Sequence, residues 1–237
     1  MYKGNKILLI IIARGGSKRL PDKNIRILHG KPMIYYAIRA AIGSKYADHI
    51  VVSTDSKKIA KVSKKYGAEV PFMRPVKLST DTVAVYPVLQ HAVNFYVSKK
   101  FYPDIIMLVK PTSPLVLSKD IDGVVKKLFE TKTKSCFSAC EITERPEWMY
   151  KFNKHNKPQP FIKRGNDLNA ISQDLPKLYR INGAVYAMKK DLLMGQDLIF
   201  SDYPSIYIMP RERSVDIDDL FDFNVAAMFM KELKLNV

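Results

Sequence analysis

The chain has 237 residues, 47% of them apolar and 26% charged, with a formal net charge of +16. That length holds one large α/β domain, or one domain with a small appendage, and hydrophobic runs recurring along it exclude long disorder. A positive balance this large suits nucleic acid, an anionic membrane or small anionic substrates, but lysines spread over helical patterns, such as Lys57, Lys58, Lys61, Lys64 and Lys65, read as solvated surface.

Taken in chain order, Ile7 to Ile12 is an unbroken apolar run bounded by glycine, the pattern of a strand buried on both faces of a parallel sheet. After the loop ARGGSKRLPDKN, Lys31 to Ile42 has helical spacing, opened by Pro32 near its first turn. HIVVST (49–54) is the next strand, and Asp55 or Ser56 caps a helix that runs to Tyr66 and stops at Gly67. AEVPF (68–72) reads as a short third strand. Thr82 to Lys99 reads as a long helix with Val85, Leu89, Ala92, Val93 and Tyr96 on one stripe. DIIMLV (104–109) is a fourth strand, and Ser118 caps a helix to Thr131. SCFSAC (135–140) is a fifth strand or the start of an excursion.

Strand and helix alternate with long crossovers, so the fold class is α/β with a mainly parallel, doubly wound sheet. The rhythm breaks after Glu141, where Pro146, Pro158, Pro160 and Pro176 sit among polar residues. We read 141–180 as an inserted loop-rich or β subdomain, of the kind that forms an interface, and 1–140 with 181–237 as the α/β domain. NGAVYAM (182–188) and SIYIMP (205–210) return to the sheet, and Asp218 or Asp219 caps a final helix to about Leu233.

Cys136 and Cys140 lack a nearby histidine to complete a zinc set and read as buried thiols in a reducing compartment. No leader pattern or membrane span is legible, and the protein is expected in the cytoplasm.

Four stretches carry chemistry. Gly15 and Gly16 follow a buried strand and are expected to turn with positive φ, presenting N–H groups beside Arg14, Lys18, Arg19 and Lys23. Aligned amides with cations make a phosphate cradle. In RSVDIDD, Asp216 and Asp218 alternate around Ile217; in an extended segment they share one side and suit Mg²⁺, whereas as a helix start they are caps. KPTSPL (110–115) offers the hydroxyls of Thr112 and Ser113 on a loop held open by prolines. SQDLPKLYRINGAVY (172–186) gathers Gln173, Asp174, Arg180, Asn182 and Gly183, with Arg180 able to fork onto a carboxylate.

Each motif is weak alone, but their order is specific. ARGGSKR with the following KN, then VVSTD, GAEVPF, PTSPL, QDLP with NGAVY, and RSVDID resemble the N-acylneuraminate cytidylyltransferases, including synthetases for legionaminic and pseudaminic acid, over essentially the whole chain. The resemblance implies a Rossmann-like nucleotidyltransferase, a homodimer held by the inserted subdomain, Mg²⁺, and the activation of a nonulosonic sugar acid with CTP, releasing pyrophosphate. It implies nucleotide binding by Ala13, Arg14, Gly15, Gly16, Ser17, Lys18, Lys23, Asn24, Arg74, Asp81 and Val83, with Lys23, Arg14 and Asp218 catalytic. It implies Asp216 and Asp218 as metal ligands, and Lys110, Pro111, Thr112, Gln173, Arg180, Asn182 and Tyr186 around the sugar acid. Lys110, Ser172 and Val85 differ from residues common in the family. The rival readings are another sugar nucleotidyltransferase, with an acceptor of the 3-deoxy-octulosonate type, and a basic nucleic-acid-binding protein. No nucleic-acid or membrane partner is expected.

Overall fold

The computed structural model describes residues 1–162 and 176–233. In chain order the elements are β1 (Ile7–Ile12), β2 (Ile27–Leu28), β3 (Lys31–Pro32), α1 (Met33–Ile42), β4 (His49–Ser53), α2 (Lys57–Lys65), α3 (Val85–Ser98), β5 (Ile105–Val109), α4 (Ser118–Glu130) and β6 (Ser135–Ile142). They continue with β7 (Tyr150–Phe152), β8 (Pro158–Pro160), β9 (Leu178–Lys189), α5 (Lys190–Gln196), β10 (Ser205–Ile208) and α6 (Leu220–Glu232).

A six-stranded sheet runs β10-β6-β9-β5-β1-β4. Strand β1 pairs in parallel with β4 and β5, and β10 pairs in parallel with β6. Because side chains alternate across a strand, the apolar run of β1 feeds both faces. Ile7, Leu9 and Ile11 pack with α1, α2 and α4, while Leu8 and Ile10 pack with α3 and α5. The mainly parallel, doubly wound sheet expected from the sequence is what forms.

Strand β9 is the departure. It is antiparallel to both β5 and β6 and begins at Leu178, earlier than expected. Its first residues pair with the end of β6, Leu178 opposite Ile142, so its N-terminal part stands where the parallel strands end. Between them lie the small β7–β8 ladder and a turn at Pro146–Trp148.

Other boundaries shift for local reasons. Residues 68–72 form only a bridge at Glu69 to Val51, since Pro71 has no N–H for a longer ladder. Helix α3 starts at Val85, after the loop that carries Thr82. Pro32 precedes α1 as its cap position and pairs with Ile27. Ser56, rather than Asp55, caps α2 by accepting from the Ile59 N–H. At α4 the Asp120 carboxylate, rather than Ser118, takes the free N–H of Leu117, at 2.9 Å.

Candidate active site

The loop after β1 is braced from below. Ala13 N–H donates to the Ser53 carbonyl and Gly15 N–H donates to the Asp55 carboxylate at 3.0 Å. Asn24, buried, donates to the Arg14 carbonyl at 2.9 Å and closes the loop on itself. Gly15 and Gly16 are not in the left-handed region; the loop's positive φ falls on Asp22. Gly15 instead makes a close approach to the cap of α2. A Cβ there would stand 3.1 Å from the Ser56 Cβ.

Over this base the cations spread. The Arg14 guanidinium and the Lys18 ammonium both pair with Asp81, Lys18 at 2.6 Å. These two partners, Lys18 first, hold the Asp81 carboxyl below its ordinary pKa. Lys23, mostly shielded, donates to the Ile217 carbonyl at 2.7 Å and reaches Asp218 at 3.3 Å. Arg19 approaches Asp218 from outside at 3.5 Å. Arg74 is buried; its side chain donates to Ser79 at 2.9 Å and faces Asp55 at 3.6 Å. Burial pulls its pKa down, and Asp55 opposes that shift.

Facing the loop is the segment carrying the two aspartates, fastened at three points. Arg213 forms a bidentate pair with the fully buried Asp120 of α4. Ile217 N–H donates to the Thr112 carbonyl at 2.7 Å, tying this segment to the KPTSPL loop. Asn182 Nδ2 donates to the Ser214 hydroxyl at 2.9 Å. The segment is extended, so Ile217 turns into the core while Asp216 and Asp218 line the cleft together. Asp219 caps α6, accepting from Asp222 N–H at 3.1 Å, which leaves Asp218 free of that role.

Loop, wall and acids enclose a cleft of about 680 Å³ at the carboxyl ends of β1 and β5, where ligands bind in doubly wound sheets. Its lining combines the cations Arg14, Lys18 and Lys23 with the acids Asp216 and Asp218, Lys23 standing beside Asp218, and Val85 and Val88 of α3 add an apolar surface. The oxygen Oδ1 of Asp216 is buried and, among the described residues, has no hydrogen-bond partner. A buried carboxylate oxygen lacking a donor fits a hard cation. Among the described residues no group of three or more His, Cys, Asp or Glu gathers, so an ion here would draw its other ligands from water and phosphate oxygens.

The cleft brings together most residues expected from the sequence. Arg14, Ser17, Lys18, Lys23, Asn24, Arg74, Asp81, Val83, Lys110, Pro111, Thr112, Asp216 and Asp218 all line it. Ala13 and Gly15 form the loop's base, Gly16 is exposed, and none of the three is on the cleft wall.

On the sugar side the expected residues separate. Asn182 is buried, and its side chain is taken up within the fold: Oδ1 accepts from the Ser138 hydroxyl at 2.6 Å and from Ala184 N–H at 3.2 Å. It supports the aspartate segment from beneath instead of facing the cleft. Tyr186 is also buried, its ring 5.7 Å from the Lys110 ammonium; burial raises its phenol pKa, and the ammonium opposes that. Arg180 is exposed on β9 opposite Cys140, away from the cleft of its own chain. Gln173 lies outside the described residues.

Sequence reasoning missed the bracing role of Asp55, read only as a helix cap, and the wall formed by Leu78, Ser79 and Thr80. For the wall the signal was present, a run of hydroxyl residues just ahead of an amphipathic helix.

The sequence profile of the cytidylyltransferase family matches residues 8–199. A pseudaminic acid cytidylyltransferase of Campylobacter jejuni is 35% identical over 227 residues, which cover 95% of this chain and 97% of that protein. A CMP-N,N'-diacetyllegionaminic acid synthase of Legionella pneumophila is 34% identical over 95% of this chain and 97% of its own length. An N-acylneuraminate cytidylyltransferase of Escherichia coli is 32% identical over 93% of this chain and 51% of that protein. Among solved structures, a CMP:2-keto-3-deoxy-manno-octonic acid synthetase complexed with CTP superposes with a TM-score of 0.70, covering 96% of this chain and 99% of that one at 16% identity, a likeness of fold.

Proposed function

As the chain belongs to the cytidylyltransferase family, we propose that it activates a nonulosonic, sialic-like sugar acid with CTP, giving the CMP-sugar acid and pyrophosphate. The observation that carries this reading is the juxtaposition in one cleft of three cations on a braced loop with Asp216 and Asp218. The relatives named for pseudaminic, legionaminic and N-acylneuraminic acids support the acceptor class.

In this reading the triphosphate lies along Arg14, Lys18 and Lys23. The hydroxyl on C2 of the sugar acid attacks the α-phosphorus and gives up its proton to solvent water, the bond to the bridging oxygen breaks, and pyrophosphate leaves with the electron pair. Negative charge grows on the phosphoryl oxygens and the leaving group, and cations fixed beforehand stabilise it without reorganising. Lys23 is the best placed, since the Ile217 carbonyl orients its ammonium. Asp216 and Asp218 would hold Mg²⁺, whose role is to neutralise phosphate charge. Asn182, Asp120 and Arg213 keep the acids in place.

Two further parts belong to the proposal. The protein acts as a homodimer through the region around β7 and β8, where Trp148, Tyr150, Phe152 and Phe161 are exposed; a concentration of exposed aromatics supports such an interface. Sedimentation at micromolar concentration tests it, a monomer being the contrary result. It works in the cytoplasm, consistent with two free thiols.

The test of the activity is a pyrophosphate-release screen of purified protein with Mg²⁺, the four nucleoside triphosphates and a panel of nine- and eight-carbon keto-sugar acids. Release restricted to CTP with a nonulosonic acid is expected. Release only with a 3-deoxy-octulosonate favours the rival acceptor, and no release with any pair contradicts the reading.

A further inference from the structure

Within the cleft one negative group already sits among the loop cations. Asp81 comes from the opposite wall, and each of its carboxylate oxygens meets a different cation, Oδ1 the Arg14 guanidinium and Oδ2 the Lys18 ammonium. Among the described residues these are its polar partners. Asp81, Arg14 and Lys18 all line the cavity, so the carboxylate occupies the two cations on the surface that a polyphosphate would meet.

Four cations within ten residues repel one another unless an anion intervenes. Asp81 supplies that anion in the free protein. The pairing is half-exposed, which makes it weak and exchangeable. A single carboxylate also carries less charge than a polyphosphate, which can engage both cations at once.

We infer that Asp81 is an internal counter-ion that competes with the polyphosphate of the incoming nucleotide for Arg14 and Lys18. It sets the affinity for the triphosphate, and by closing back on both cations it helps expel pyrophosphate. This rests on the proposed use of CTP, but it assigns Asp81 a role opposed to nucleotide binding. When the competent state is only partly populated, apparent affinity falls by that fraction. Two weak, half-exposed pairs correspond to a factor of about three to twenty.

The experiment is calorimetric titration of wild type, Asp81→Asn, Asp81→Ala and Asp81→Glu with inorganic tripolyphosphate, with CTP and with uncharged cytidine, folding being checked by thermal denaturation. Expected are three- to twenty-fold tighter tripolyphosphate and CTP binding for both neutral variants, wild-type values for Asp81→Glu, and unchanged cytidine binding. Weaker or unchanged tripolyphosphate binding in the neutral variants overturns the inference, as does a change confined to cytidine, which would make Asp81 a nucleoside contact. Failure of wild type to bind CTP removes the functional reading itself, and the inference with it. Normal pyrophosphate release by wild type alongside unchanged tripolyphosphate affinity in Asp81→Asn removes the inference alone.

Discussion

A carboxylate oxygen of Asp216 lies 2.8 Å from the point where a Cβ on Gly183 would stand. Gly183 also has φ +79, a conformation that side chains resist. The middle of β9 is therefore shaped around the acid, and an alanine there must either move Asp216 or shift the strand. Gly183→Ala is expected to cost about 1–3 kcal/mol from backbone strain alone, seen as a fall of roughly 2–12 °C in Tm. Pyrophosphate release should drop further than stability explains, measured at a temperature where the variant is folded. A variant with normal Tm and normal turnover would contradict this account of Gly183.

Lys23 is oriented by the Ile217 carbonyl and lies beside Asp218. Lys23→Ala should keep the fold while turnover falls on the order of a hundred-fold, as when one preorganised donor is lost. Steady-state kinetics with saturating CTP and sugar acid decide it. A near-normal kcat removes Lys23 from the chemistry.

Asp120 and Arg213 form a bidentate pair in the interior. Asp120→Asn leaves the guanidinium without its counter-charge, a change worth about 3–5 kcal/mol in a buried pair. Thermal denaturation should show Tm lower by roughly 6–20 °C. An unchanged Tm would mean that the pair does not fasten the aspartate segment to α4.

Burial raises the Cys136 thiol pKa to about 11, so it stays protonated in the folded protein well above the pH at which an exposed thiol ionises. A thiol reagent at pH 8 should leave it unmodified until denaturant is added. Since the unfolded thiol loses its proton first, stability should decline as pH rises from about 9 to 11. Rapid native-state labelling of Cys136 at pH 8 would show that the strand opens readily.

The sequence made the cleft's cationic side legible because it is local: an apolar strand, two small residues and a run of cations lie within one stretch. The alternation of Asp216 and Asp218 was legible for the same reason. Their division of labour from Asp219 was not, because a cap and a ligand differ only in which group the carboxylate faces. The direction of β9 was hidden, since an apolar run reads alike either way and the reversal depends on the excursion between β6 and β9. Asn182 joins the sugar-acid residues only through the family resemblance of the NGAVY motif. Its partners Ser138 and Ser214 are distant in the chain, so only the folded structure shows them taking up its side chain. The Asp81 bridge was hidden in the same way: its cations lie on a remote loop.

The most direct measurement is a crystal structure of the protein grown with CTP and Mg²⁺. It should show the triphosphate along Arg14, Lys18 and Lys23, Asp81 withdrawn from both of its cations, and a divalent ion between the phosphates and Asp216 with Asp218. A nucleotide bound elsewhere, or a loop still bridged by Asp81 with CTP present at saturation, would contradict the account.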